Sequence, residues 1–350
     1  MKRRTFLQGA ATLAAGAALA PMVVRRAEAA GPLRLLTWEG YAEDAWVKDF
    51  EQANGATVTK TYVGSNDEYM AKLAAGGGEY DLVVIVSALA QRAINAGFVE
   101  ALDRDAIPNL KQLYTRLQDP GFATKDGKLY GAPTFLAISP VTVNAEAIPT
   151  GSDFGVLFDK ANAGKIAMWD DVSTLGDTAN WMGIDNIWTM SDEQLAAVKA
   201  KLIEQKPMVR TYWSQAGEAI DLFMNKEIVA SNSWSYITTT LQSRGLKVRD
   251  FPGKPPIGAI DSHFIVKGSA NRALALNFID HVLGAKAQGA IAELTGYTPT
   301  NPQSRQFMKP ETWQKLRLDD VQGTIDKMKF WEDIPRRAKY LEVLNEVKAA

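Results

Sequence analysis

The chain contains no cysteine, so disulfides and thiolate chemistry are excluded from its stability and its activity. Histidine is nearly as scarce, with only His263 and His281 in 350 residues. They lie far apart and lack a nearby second ligand, which argues against a metal site. No Ser/His/Asp order and no metal-binding motif offers a catalytic centre. Apolar runs of membrane-spanning length, about 20 residues, do not occur after the first thirty positions. An excess of basic charge is missing too: the formal net charge is −1, which argues against nucleic acid as a partner. Repeats, low-complexity stretches and Pro/Ser linkers are likewise absent.

What is present begins with an export address. Lys2, Arg3 and Arg4 form a basic start, an apolar run extends from Ala10 to Val24, and Ala27-Glu28-Ala29 supplies small residues for cleavage. That pattern is a signal peptide over 1–29. Arg3-Arg4-Thr5-Phe6-Leu7 resembles a twin-arginine signal, with Lys2 and Gln8 departing from the usual flanks. A plain secretory signal is the alternative, and either route places the mature chain in the periplasm. Removing five basic residues and one acidic one takes the net charge from −1 to −5. Such a surface is compatible with a cationic solute.

Roughly 320 mature residues exceed one hydrophobic core, so two lobes are expected. Leu33–Thr37, 56–62 and 80–86 read as strands, separated by amphipathic helices over 42–52 and 67–75. The alternation predicts an α/β fold with mainly parallel sheets flanked by helices. Ligands bind beyond the carboxyl ends of such strands, which makes the loops starting at Trp38 and Ser87 candidates. Further strands are expected over 165–169 and 228–234, with helices over 192–205 and 235–243. An aspartate after a strand is usually a cap or turn former; this is the reading of Asp170, whereas Asp171 is open between structure and site. Trp46, Trp169 and Trp313 read as packing, and Gly76-Gly77-Gly78 as a loop, because it precedes a strand instead of opening a helix.

Six segments carry a family resemblance. They are Thr37-Trp38-Glu39-Gly40-Tyr41, the run from Ser65 to Leu73, Tyr80 to Val84, Ser231 to Ser235, Gly258 to Ser262 and Gly296 to Asn301. Their order and spacing resemble the spermidine/putrescine-type periplasmic substrate-binding proteins of ABC importers. The resemblance implies a type II periplasmic binding fold, two α/β lobes joined by crossing strands with the ligand cleft between them. The expected division is 30–139 with 262–300 for lobe 1, 140–261 for lobe 2, and a helical C-terminal segment over 301–350. It also implies a small amine ligand, an inner-membrane permease and ATPase as partners, a monomer, and neither cofactor nor catalysis. The competing readings are an exported enzyme working with paired acids and a receptor reporting to a membrane sensor.

A protonated amine is held by carboxylates for its charge and by aromatic faces for its methylenes. By the resemblance, Asp261 is the main amine-binding carboxylate, with Trp38, Trp234 and Tyr297 lining the cleft. Asp171, Ser87 and Glu332 match further ligand positions, and Glu39 and Tyr41 join the set. Thr174 stands where a second acid is expected, and Ala259 and Leu89 where aromatics are. Those departures weaken the case for spermidine. They favour putrescine or another amine-bearing solute, such as an opine, an amino acid derivative or an aminophosphonate. Tyr212-Trp213 is a candidate for replacing the lost aromatic surface.

Overall fold

Leu82–Val86, the run LVVIV, is buried at every position. A strand so uniformly apolar must be covered on both faces. In the computed structural model it lies inside a sheet whose order is Thr298–Pro299, Gly131–Ile138, Ile257–Val266, Leu82–Val86, Leu33–Thr37, Val58–Tyr62. The structure describes residues 31–350 apart from 152, 317, 322 and 324–327; the expected signal peptide lies outside the described residues. A second sheet runs Val209–Trp213, Ile166–Trp169, Ala230–Asn232, Pro140–Asn144, Val248–Pro252. Helices flank both sheets, so the chain is a two-lobed α/β structure.

The sheets are mixed, where mainly parallel ones were expected. Leu33–Thr37 pairs in parallel with both its neighbours, but Ile257–Val266 joins Leu82–Val86 and Gly131–Ile138 antiparallel. The second lobe repeats this: Ile166–Trp169 has parallel partners, while Pro140–Asn144 has antiparallel ones. The antiparallel strands are those that carry the chain between lobes. One crossing is at Ser139, between Gly131–Ile138 and Pro140–Asn144. The other falls at 253–256, earlier than the expected boundary at 261, because Ile257–Val266 pairs throughout within the first sheet. Ser139 N donates to Ile257 O at 3.0 Å, tying the two crossings together. Beyond residue 300, Lys329–Phe330 pairs with the start of that same strand. The final helix, Arg337–Ala349, packs on Asp192–Gln205 of lobe 2, and its first residue reaches Asp67 of lobe 1.

Local chemistry accounts for the element ends. Ser65 caps Asn66–Ala74 by accepting from Glu68 N, and Ser191 with Gln194 forms a capping box on Asp192–Gln205, satisfying N–H groups the helix cannot. Gly55 closes Asp44–Asn54 at φ +60°, a conformation glycine adopts without steric cost. Pro133 has no N–H to give the ladder, and the register slips at Asp261/Ser262 opposite it.

Candidate ligand-binding cleft

The first strand ends at Thr37, and the turn beyond it carries Trp38 and Tyr41 to the carboxyl edge of the sheet. Ala259 and Asp261, two residues apart on Ile257–Val266, share one face and point into the same space. From lobe 2, Trp169 ends its strand and Trp234 precedes the helix Ser235–Ser243. These residues, with Asn66, Tyr297 and Trp331, line a cavity of about 60 Å³ between the lobes. A single water needs roughly 10–15 Å³ on this measure, so the space suits a small solute.

Of the expected residues, Trp38, Tyr41, Trp234, Asp261 and Tyr297 come together here. Trp169, read from sequence as packing, also lines the cavity, so that expectation is corrected. Its ring stands edge-on to Trp234 at 5.1 Å and to Trp38 at 6.4 Å, and Trp38 meets Trp234 at 5.8 Å. Trp213 stacks behind Trp169 at 5.9 Å and 15°, supporting the wall without lining it; Tyr212 lies apart, beside Lys206 and Lys348. Trp331 closes the other side, 5.8 Å from Trp169. Sequence reasoning missed Trp169, Trp331 and Asn66. Trp169 was discoverable, because it sits at the carboxyl end of a strand as Trp38 does. Asn66 opens the helix Asn66–Ala74 and Trp331 lies on a loop, and neither position carries such a signal.

Four expected residues lie outside this cavity. Ser87 and Glu332 line an adjoining groove, and Ser87 Oγ accepts from Ile260 N at 3.4 Å. Glu39 Oε2 accepts from Gly217 N at 2.7 Å, at the start of the lobe 2 helix Ala216–Met224, where the helix dipole favours an anion. Asp171 accepts from Ser173 N at 2.9 Å and from Asn66 N of lobe 1 at 3.3 Å, with Arg337 3.8 Å away. Glu39 and Asp171 therefore join the lobes. Arg337 extends the contact through a two-pronged pairing with Asp67 at 2.5 and 2.8 Å, and Trp169 Nε1 donates to Gly64 O at 3.0 Å. Asp170 instead pairs with Lys348 at 2.6 Å, a structural role.

Of the departures, Ala259 lines the cavity while Leu89 is buried in the lobe 1 core. Thr174 Oγ1 donates to Trp169 O at 2.7 Å, which holds that ring's backbone in place.

Asp261 is 5% exposed, and the phenol of Tyr41 hydrogen-bonds its Oδ2 at 2.5 Å. Burial pushes its pKa up to about 7, with the Tyr41 bond opposing the rise. Burial also raises Tyr41 and Tyr297 well above the ordinary phenol range, helped by the neighbouring Asp261. A lone carboxylate in an aromatic enclosure is poised to accept a cation. His263 is buried two residues along, held neutral with its pKa lowered to about 3, and its Nδ1 meets Thr134 Oγ1 at 2.8 Å. Among the described residues no cluster of His, Asp and Glu could hold a metal ion.

The fold and the cleft define a two-lobed solute-binding protein. The chain belongs to the family of bacterial extracellular solute-binding proteins, which matches residues 45–318. It is 28% identical over 356 residues to a putrescine/cadaverine-binding protein of Pseudomonas aeruginosa, covering 94% of this chain and 95% of that one. A spermidine/putrescine ABC transporter protein from Listeria monocytogenes superposes with a TM-score of 0.81 at 22% identity, covering 91% of this chain and 98% of the other. The glucopine-bound binding protein MotA of A. tumefaciens B6 shares the fold with a TM-score of 0.73 at 18% identity, over 91% and 99% of the two chains. Among the described residues no helix is long and apolar enough to cross a membrane.

Proposed function

We propose that the protein is the exported receptor of an ABC importer for a small aliphatic amine of putrescine size. It binds without chemistry, by closing its lobes, and hands the solute to a permease and ATPase in the inner membrane. The observation that carries this reading is Asp261: a buried carboxylate bonded to the Tyr41 phenol and facing Trp38, Trp169 and Trp234. An ammonium ion supplies the missing counter-charge, and the indole faces take its methylenes. A cation over Trp contributes about 0.5–1 kcal/mol when exposed and about 2 when desolvated. The putrescine/cadaverine-binding relative, similar over nearly its whole length, supports the same class of solute. The glucopine binder, at 18% identity, speaks for the fold and not for the ligand.

The test is a thermal-shift panel on ligand-stripped protein with putrescine, cadaverine, spermidine, an opine, sugars and organic anions. A true ligand at 100 times its Kd stabilises by about 2.7 kcal/mol. A melt shifted only by sugars or anions overturns the reading.

A further inference from the structure

Asp177 lies one helical turn beyond Thr174 on Ser173–Trp181, and the two share a donor. Asn232 Nδ2 reaches Thr174 Oγ1 at 3.0 Å and Asp177 Oδ2 at 3.2 Å. Asp177 is 8% exposed, and among the described residues no Lys or Arg pairs with it. It lines a cavity of about 220 Å³ beside the crossing strands, together with Asn180, Phe154, Trp181 and Lys254. Ser139 belongs to this wall and to the wall of the Asp261 cavity.

Asn180 adds an independent observation. It is 5% exposed, its Nδ2 donates to Pro255 O at 2.9 Å, and its Oδ1 has no partner within the protein. The buried charge among the lining groups is Asp177, beside the Phe154 and Trp181 rings, while Asp153 and Lys254 line the cavity from exposed positions. A buried carboxylate without a basic partner complements a donor-rich cation and repels an anion. One buried carboxylate is too little for calcium, which takes six to eight oxygens.

We propose that this cavity is a second ammonium site, with Asp177 as its counter-charge. Its occupant is a primary ammonium, either the far end of the amine held at Asp261 or a second free amine. The inference rests on the amine reading of the Asp261 cavity. Asp177 then supplies the acid that Thr174 lacks. Burial raises its pKa to about 7 against the pull of Asn232, with the Asp171 charge adding to the rise.

Calorimetric titration of the mature protein with 1-aminobutane and with linear diamines from 1,4-diaminobutane to 1,8-diaminooctane tests it. The expected result is two monoamines per chain, or a preference of roughly tenfold or more for one diamine over the monoamine, as a charge-assisted bond would give. Asp177→Asn, which keeps the shape, removes the second equivalent or the diamine preference. Lys254→Glu, which replaces an exposed cation lining the cavity, tightens binding roughly threefold or more through the reversed local charge. Amine binding that neither variant alters overturns the assignment of Asp177 alone. A wild type that binds no amine overturns the reading at Asp261 first, and this one with it.

Discussion

Tyr41 and Asp261 are 220 residues apart in sequence and 2.5 Å apart at their side-chain oxygens. The phenol comes from the turn after the first strand, the carboxylate from the strand that follows the second crossing. Their bond leaves one carboxylate oxygen for a ligand. It also fixes the carboxylate against the Tyr41 ring, which packs on Phe135 at 4.3 Å and edge-on to Tyr297 at 5.0 Å. The anion is thus held in place before any solute arrives, and little ordering is left for binding to supply.

Asp261→Asn keeps that shape and removes the charge. Truncating one member of a desolvated charge pair costs on the order of 2–5 kcal/mol. Amine affinity is expected to fall about a hundredfold or more, measured by calorimetry. Retained affinity would show that another group carries the ammonium.

The same carboxylate dictates a pH dependence. With a pKa of about 7 in the ligand-free fold, Asp261 must lose a proton to receive an ammonium. Affinity is expected to fall about tenfold per unit as pH drops from about 7 to 5. Proton release on binding, read from calorimetry in buffers of different ionisation heat, checks it; zero release at pH 6 contradicts it.

Stability responds with a definite sign. The folded pKa of Asp261 exceeds its unfolded value of 3.8, so the folded chain binds more protons between the two, and its contribution falls as pH rises from about 4 to 7. His263 works oppositely: its pKa of about 3, against 6.5 unfolded, gives stability that is lost as pH falls below 6.5. The comparison that isolates Asp261 is therefore wild type against Asp261→Asn. Without ligand, the variant is expected to melt higher at pH 8, with the gap closing toward pH 4. A gap independent of pH would mean that Asp261 is not desolvated.

Much of this was legible in the sequence, for reasons that particular residues make plain. Leu82–Val86 is an unbroken apolar run and Leu33–Thr37 a mostly apolar one interrupted by Arg34, and the rule that ligands sit at strand ends led to Trp38. Asp261 came from the family resemblance, not from its surroundings in the sequence. Strand direction was not legible, because local periodicity says nothing of pairing between Leu82–Val86 and Ile257–Val266, nearly two hundred residues apart. The roles of Glu39 and Asp171 were hidden for the same reason. Their partners, Gly217 and Asn66, lie in the opposite lobe, and only the closed arrangement brings them within reach.

Trp169→Leu tests the aromatic wall. The change removes a cation face and the bond to Gly64 O, so amine affinity is expected to fall about tenfold, in keeping with ~0.5–2 kcal/mol for the ring. Trp313→Leu serves as the control, since Trp313 lies 4.8 Å from the Arg305 guanidinium and away from the cleft. Equal losses from the two changes would remove Trp169 from the site.

Gly64 tests closure itself. A Cβ placed there would stand 2.2 Å from the carbonyl oxygen of Ser214, which follows the lobe 2 strand Val209–Trp213. Gly64 belongs to lobe 1, its N–H donating to Glu68 Oε2 at 3.0 Å. Its φ is not in the left-handed region, so alanine suits its own backbone and clashes only across the cleft. Gly64→Ala is expected to leave the ligand-free melt nearly unchanged while opposing the closed state by about 1–3 kcal/mol, the usual cost of overpacking. Amine affinity should then fall about tenfold to a hundredfold, and small-angle scattering with saturating ligand should give a larger radius of gyration than for the wild type. Unchanged affinity and radius would mean that the ligand is held without the lobes meeting at Gly64 and Ser214.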